Sequence, residues 1–207
     1  MPRLITFGCS NTYGHGQVDC LEANGDPGPE PSKFAWPTHL GKLLEKKEVI
    51  NMGLPGASND NILHRLFHFD YQPSDMVVVL WTYPDRAGHL LNKDEVVDLA
   101  PWRTDPLSKH YYKYFHNDYN SRVNLFKNWK VAKSFFIQMK LKHRMFLIDD
   151  EPTNYGPIPI IKPKTYFNKF VDLYPRAADN AHAGPEAQEA FANSIFDIIL
   201  YQRGEER

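Results

Sequence analysis

Two short segments, near opposite ends of the 207-residue sequence, hold side chains suited to chemistry on an acyl group. The first is ITFGCSNTYGHG, in which Ser10 follows a short apolar run and the small, flexible pair Gly8–Cys9. A hydroxyl just past a buried strand points into the crevice beyond the strand end. Its own N–H then stands free at the start of the next helical turn, where such a group can stabilise an oxyanion. The second segment is DNAHAGPEAQEAFA, with Asp179 three residues before His182. That much turn lets a carboxylate reach the imidazole Nδ1, which fixes tautomer and orientation and stabilises the imidazolium. Each segment alone also has a plain structural reading. A serine after a strand is an ordinary helix cap, and a histidine at a helix entrance is an ordinary surface residue. Together they supply a hydroxyl, a carboxylate and an imidazole, in that chain order, which are the parts of nucleophilic catalysis.

The elements that must position these groups can be read from apolar periodicity. Leu4–Phe7 reads as a strand buried in a parallel sheet, and residues 15–33 as a Gly- and Pro-rich loop. Phe34–Lys46 has Trp36, Leu40, Leu43 and Leu44 at helical spacing. Val49–Asn51 reads as a second strand and Gly53–Ala57 as a turn, after which Ser58 or Asn59 caps a helix with Ile62, Leu63, Leu66 and Phe67 on one face. Asp75–Trp81, with Val, Val, Val and Leu at its centre, predicts a strand covered on both faces. Residues 84–119 read as an irregular, aromatic-rich insertion. A long helix over about Asn120–Lys142 and a strand at Met145–Ile148 follow, then a loop over 150–165 with four prolines. The last helix is expected from Pro185 to about Tyr201, with Ala187, Phe191, Ile195 and Ile198 as its stripe. Strands that alternate with helices predict one α/β domain over residues 1–207, a three-layer α/β/α sandwich around a central parallel sheet. Ligands of such folds sit beyond the carboxyl ends of the strands. The segments Gly8–Gly14, Gly53–Asn61 and Trp81–Arg86 all leave strand ends there.

At these residues the sequence resembles the SGNH, or GDSL-type, hydrolases. Their first block is of the form FGDSxTxG, and residues 7–14 read FGCSNTYG. Their second block has a glycine after the second strand, which NMGLPGASNDNI matches, and their last is DxxH before a helix, here DNAH. The resemblance covers essentially the whole chain and implies a flavodoxin-like SGNH hydrolase fold. It also implies that Ser10 is the nucleophile, His182 the general base and Asp179 the residue that orients it. The backbone N–H groups of Ser10 and Gly56 would form part of an oxyanion hole, and a residue without Cβ at position 56 lets backbone approach a ligand closely. Two departures stand out. Cys9 replaces the Asp before the nucleophile, and reads as a small buried packing residue or a second nucleophile. The third block, GxND, brings an oxyanion-hole Asn, but here the strand end reads WTYPDR. Loss of one such donor typically costs ~10²–10³ in rate. Thr82, Tyr83, Asn61, Asn59 and Arg86 are the polar groups placed to replace it, with Arg86 or Asn59 favoured.

The expectation is a serine ester hydrolase that removes acetyl or other acyl groups from a carbohydrate or small O-acyl ester, without metal or organic cofactor. An O-acyltransferase with the same triad, and a catalytically weakened carbohydrate-binding module, remain open. Other features fit an ordinary globular protein. Hydrophobic residues make up 42% and charged residues 24%, enough for a core. A net charge of −1 leaves no electrostatic footprint for nucleic acid. The basic run Lys127–Arg144 alternates with apolar residues as a solvated helix face does. No apolar run approaches the ~18 residues of a membrane span, and no signal peptide is seen, so a cytoplasmic protein is the default, although a virion component would look the same. Nothing in the pattern points to an oligomeric state. Cys9 and Cys20 are too few for a disulfide framework or zinc cluster. His64 and His68 have metal-compatible spacing but lack the Glu of a zinc protease motif between them, and Asp149–Glu151 reads as an acidic turn. The aromatics from Trp102 to Tyr119 could stack on sugar rings, pack a lid or form a dimer contact.

Overall fold

Four parallel strands build the sheet that carries the site. The computed structural model describes residues 2–149 and 165–205, with side chains as far as 201. The proline-rich stretch 150–164 lies outside the described residues. Strand β1 (Arg3–Gly8) runs into the four-residue helix α1 (Ser10–Tyr13), and a long loop leads to α2 (Trp36–Leu43). Then follow β2 (Glu48–Gly53), α3 (Asn59–Phe67) and β3 (Met76–Trp81). The sheet order is β2-β1-β3-β6, where β6 is Lys142–Leu147, and every pairing is parallel. The chain therefore steps from β1 out to β2, then crosses to the other side of β1 to add β3. Strand order reverses at β1, and the crevice at such a switch point is where α/β sheets bind ligands.

Alternating side chains send the strands' apolar residues into two cores. Leu4, Met76, Val78, Leu80, Phe146 and Ile148 pack with α2, with α6 (Asn168–Val171) and with α7 (Pro185–Glu205) on one face. Ile5, Phe7, Val77, Val79, Trp81 and Leu147 pack with α3 and with α5 (Asp118–Gln138) on the other. This is the three-layer α/β/α sandwich that the sequence predicts. Every residue of β3 is buried, as its unbroken apolar run requires. Each such side chain is worth about 1.5–3 kcal/mol of transfer free energy. Trp36 of α2 meets Phe191 of α7 edge to face, with ring centroids 5.6 Å apart, and so fastens the last helix to the first half of the chain.

Residues 84–119 are more ordered than their sequence suggests. They hold an antiparallel hairpin, β4 (Ala87–Leu90) with β5 (Val96–Leu99), and helix α4 (Pro106–Tyr114). Four-residue strands with mostly half-exposed positions leave no clear alternation to read. The sequence reading passed over the cap that starts α4: Asp105 accepts a hydrogen bond from the Ser108 N–H at 2.9 Å, with Pro106 in the first turn. The hairpin braces α3. Asp98 accepts from the Ser58 N–H (2.8 Å) and from the Asn61 amide (2.6 Å), and Asp60 accepts from the Gly88 N–H (3.0 Å). Strand β6 begins three residues before its predicted start, because Lys140, at φ 56°, ends the helical run earlier. Among the described residues no helix is long and apolar enough to cross a membrane.

Candidate active site

Ser10 is the first residue of α1 and is buried, with 5% of its surface exposed. The Cys9 carbonyl closes the turn by accepting from the N–H groups of Thr12 and Tyr13, both at 3.0 Å. Cys9 itself is fully buried, a free thiol in the core beside Leu4, which is the packing role its small size predicts. Gly53, at the end of β2, lets α1 settle onto the sheet: a Cβ there would lie 2.5 Å from the Tyr13 nitrogen. The turn is therefore seated against two strand ends. Among the described residues no backbone carbonyl receives the N–H of Ser10 or of Gly56. Gly56 lies in the turn after β2 with φ +79°.

The C-terminal loop is docked on the residues just after α1. Ala178 donates its N–H to the Gly16 carbonyl at 3.0 Å, and the buried Gln17 amide donates to the Ala183 carbonyl at 2.6 Å. Gln188, at the start of α7, donates to the Asn11 carbonyl (3.2 Å) and accepts from the Trp36 N–H (3.0 Å). Gly16 has φ +87°, and a Cβ at that position would lie 2.6 Å from the Asp179 carboxylate. Only glycine fits both the conformation and the space.

Within this loop Asp179 and His182 form the expected pair. One carboxylate oxygen accepts from the N–H groups of Ala181 and His182, both at 3.0 Å, and the other lies 2.6 Å from His182 Nδ1. Burial of Asp179 acts to raise its pKa, but hydrogen bonds from the His182 N–H, the imidazole and the Ala181 N–H outweigh it and hold the acid below its ordinary value. An ionised acceptor requires the proton on Nδ1, which leaves Nε2 as the basic nitrogen of His182. The His182 pKa is itself lowered. Burial is the largest cause; Asp179 opposes it, and His15 and Arg86 add to it. The imidazole is thus neutral at neutral pH and fit to accept a proton. Among the described residues no hydrogen bond joins the Ser10 hydroxyl to His182. The two segments meet through Gly16–Ala178, Gln17–Ala183 and Asn11–Gln188 instead.

The residues considered for the missing oxyanion donor divide by what already binds them. Asn59 requires a correction. Its amide donates to the carbonyls of Thr82 (3.1 Å) and Tyr83 (3.3 Å), and its oxygen accepts from the Thr82 N–H (2.9 Å). It is a clamp on the end of β3, with no donor left for an oxyanion. Asn61 is committed to Asp98, and the Tyr83 hydroxyl to Asn168. Arg86 differs. It is buried, with 7% exposed, and its guanidinium carbon lies 4.7 Å from the Trp102 ring centroid and 5.5 Å from that of Tyr83. One nitrogen donates to the Ala57 carbonyl at 3.4 Å, and Nε is buried with no hydrogen-bond partner among the described residues. No carboxylate pairs with it among the described residues.

No protein-family model matches the chain, and no curated protein matches it in sequence. Solved structures do match its fold. An acetyl xylan esterase, Est2A, from the rumen bacterium Butyrivibrio proteoclasticus superposes with a TM-score of 0.57 over 98% of this chain, at 11% identity. A carbohydrate esterase whose active site displays divergent catalytic and non-catalytic binding functions gives 0.52 over 97% of this chain, at 13% identity. The chain has the fold of the SGNH hydrolases. It spans 64% and 65% of those two chains. In this chain the turn after β2 joins the end of β1 where the Leu54 N–H donates to the Gly8 carbonyl at 3.0 Å, and the loop before α7 docks just after α1 through Ala178 and Gly16.

Sequence reasoning passed over His15. Its ring centroid is 4.5 Å from that of His182, and its Nε2 lies 3.0 Å from the Gly25 carbonyl. The available signal was its place in the same block as Ser10. His15, Asp179 and His182 offer ligand atoms within 4.8 Å of one another, the one group of three among the described residues able to hold a metal. His64 and His68 stack at 4.3 Å, with ring nitrogens directed at the carbonyls of Lys93 and His64 rather than at a shared centre. Asp150 and Glu151, the rest of the acidic turn, lie outside the described residues.

Proposed function

We propose that the protein is a serine ester hydrolase that releases acetyl or other small acyl groups from a carbohydrate or similar alcohol. The observation that carries this reading is the Asp179–His182 pair, ordered at 2.6 Å and docked by hydrogen bonds onto the turn that begins at Ser10. Ser10 Oγ attacks the acyl carbon while His182 Nε2 takes its proton. The carbonyl oxygen becomes an oxyanion that the N–H groups of Ser10 and Gly56 receive. Its collapse breaks the bond to the alcohol oxygen, which leaves with the proton that His182 took from Ser10, and an acyl-enzyme remains. Water, activated by the same nitrogen, attacks the ester carbon and frees the acid and Ser10. Asp179 keeps the proton on Nδ1 throughout. Arg86 takes the part of the absent Asn: a buried cation without a carboxylate partner among the described residues, whose charge is felt at His182, gains most when negative charge develops nearby. The neighbours that are carbohydrate and acetyl xylan esterases favour a sugar ester.

The test is hydrolysis of p-nitrophenyl acetate and of acetylated sugars by wild type, Ser10→Ala and His182→Ala. Turnover in wild type that both variants lose by ~10³-fold or more supports the mechanism. Turnover unchanged in Ser10→Ala removes Ser10 as nucleophile. A binding protein on the same fold is favoured by one observation, the WTYPDR strand end with Asn59 already engaged. That reading predicts sugar binding without turnover.

A further inference from the structure

The turn after β5 brings a second cation to the Gly56 turn and an aromatic plane to Arg86. The Arg103 N–H bonds the Ala100 carbonyl at 3.0 Å, so Trp102 and Arg103 sit on a tight, fixed bend. Trp102 is 58% exposed although Arg86 lies against its ring. An indole supported by a buried guanidinium on one side and open to solvent elsewhere is a platform for a planar or pyranose ligand. Arg103 reaches to the oxyanion turn: its guanidinium nitrogen lies 3.5 Å from where a Cβ on Gly56 would stand. Arg103 is exposed, and among the described residues no carboxylate pairs with it or with Arg86. Two cations without acidic partners among the described residues thus stand with one exposed indole at the turn that holds Gly56 and Ala57.

We infer that the alcohol part of the substrate carries a carboxylate: an O-acylated sugar acid whose ring rests on Trp102 and whose carboxylate pairs with Arg103. The inference rests on the esterase reading for its placement of the acyl group. The acyl carbon must reach Ser10, deep in the crevice, so the exposed Arg103 on the rim meets the half of the ester that stays outside. For an acetyl ester that half is the sugar. A guanidinium suits this role because it binds carboxylate through two parallel hydrogen bonds and never loses its charge. Arg86, buried beneath the indole, remains for the developing oxyanion.

The experiment compares kcat/KM for an O-acetylated methyl glucuronoside and the matching O-acetylated methyl glucoside. Wild type is expected to favour the acid by about tenfold or more at low ionic strength, with the preference shrinking as salt screens the pair. Arg103→Gln should bring the ratio near one. Trp102→Ala should weaken both sugars alike. A ratio near one in wild type, or one that survives Arg103→Gln, overturns the inference. If wild type turns over no ester at all, the esterase reading fails separately, and calorimetry with the two unacetylated glycosides then decides. Selective binding of the glucuronoside that Arg103→Gln abolishes upholds the site; equal or absent binding of both sinks it.

Discussion

His182 is poised to take up a proton only in acid. Its pKa is lowered chiefly by burial, so the neutral base is fully present above the ordinary histidine value of 6.5 and is lost as pH falls through the lowered one. A kcat/KM profile should therefore be flat near neutrality, with its acid limb below pH 6.5. His15 helps to depress that pKa, so His15→Ala should move the limb to higher pH, which a profile of the variant would detect. Asp179→Asn should cost about 10³–10⁴ in kcat, because an amide can hold the wrong tautomer. Refolded structure judged by circular dichroism should be unchanged. At this scale the Asp179–His182 contact and the place of Ser10 just past a strand were legible, since a strand end and a three-residue spacing are written in consecutive residues. The fate of Asn59 was not. Its partners are main-chain groups 23 and 24 residues further on, and no side-chain pattern advertises a backbone carbonyl.

Elements hold the site through a few close approaches. Gly53→Ala would drive a methyl group against the Tyr13 backbone, which cannot swing aside as a side chain would. Urea denaturation should show a loss of about 1–3 kcal/mol, and activity should fall further than stability as α1 lifts from the sheet. Asp98→Ala would strip partners from the Ser58 N–H and the Asn61 amide at the entrance to α3, both buried. Its cost should be about 1–3 kcal/mol in the same measurement. The hairpin that supplies Asp98 was the part of the fold the sequence hid. Its strands are short, and their order comes from hydrogen bonds to α3 rather than from an apolar face. The helices and central strands were legible because each buries a stripe or a run that repeats with its own period.

The whole molecule rests on a sheet whose lower edge is tied by Arg3 and Asp75, 2.6 Å apart, with the carboxylate fully buried. Burial acts to raise the Asp75 pKa, but hydrogen bonds from Arg3 and the Gln72 N–H hold it below 3.8. Its stabilising contribution is therefore present above 3.8 and lost as pH falls through the lowered value. Arg3→Ala, which leaves that carboxylate stranded, should cost about 3 kcal/mol in thermal or urea unfolding near neutral pH. The layered architecture was legible from the alternation of strands and helices, since few topologies satisfy that order. The links across it carry a consequence for how the protein comes into being. Gln17 is tied to Ala183 across 166 positions, and Asn11 to Gln188 across 177. A chain emerging from the ribosome can assemble its first strands long before these partners exist. Until the last helix has been made, the turn at Ser10 lacks its contacts with Ala183 and Gln188, so that corner of the fold can close only late in synthesis.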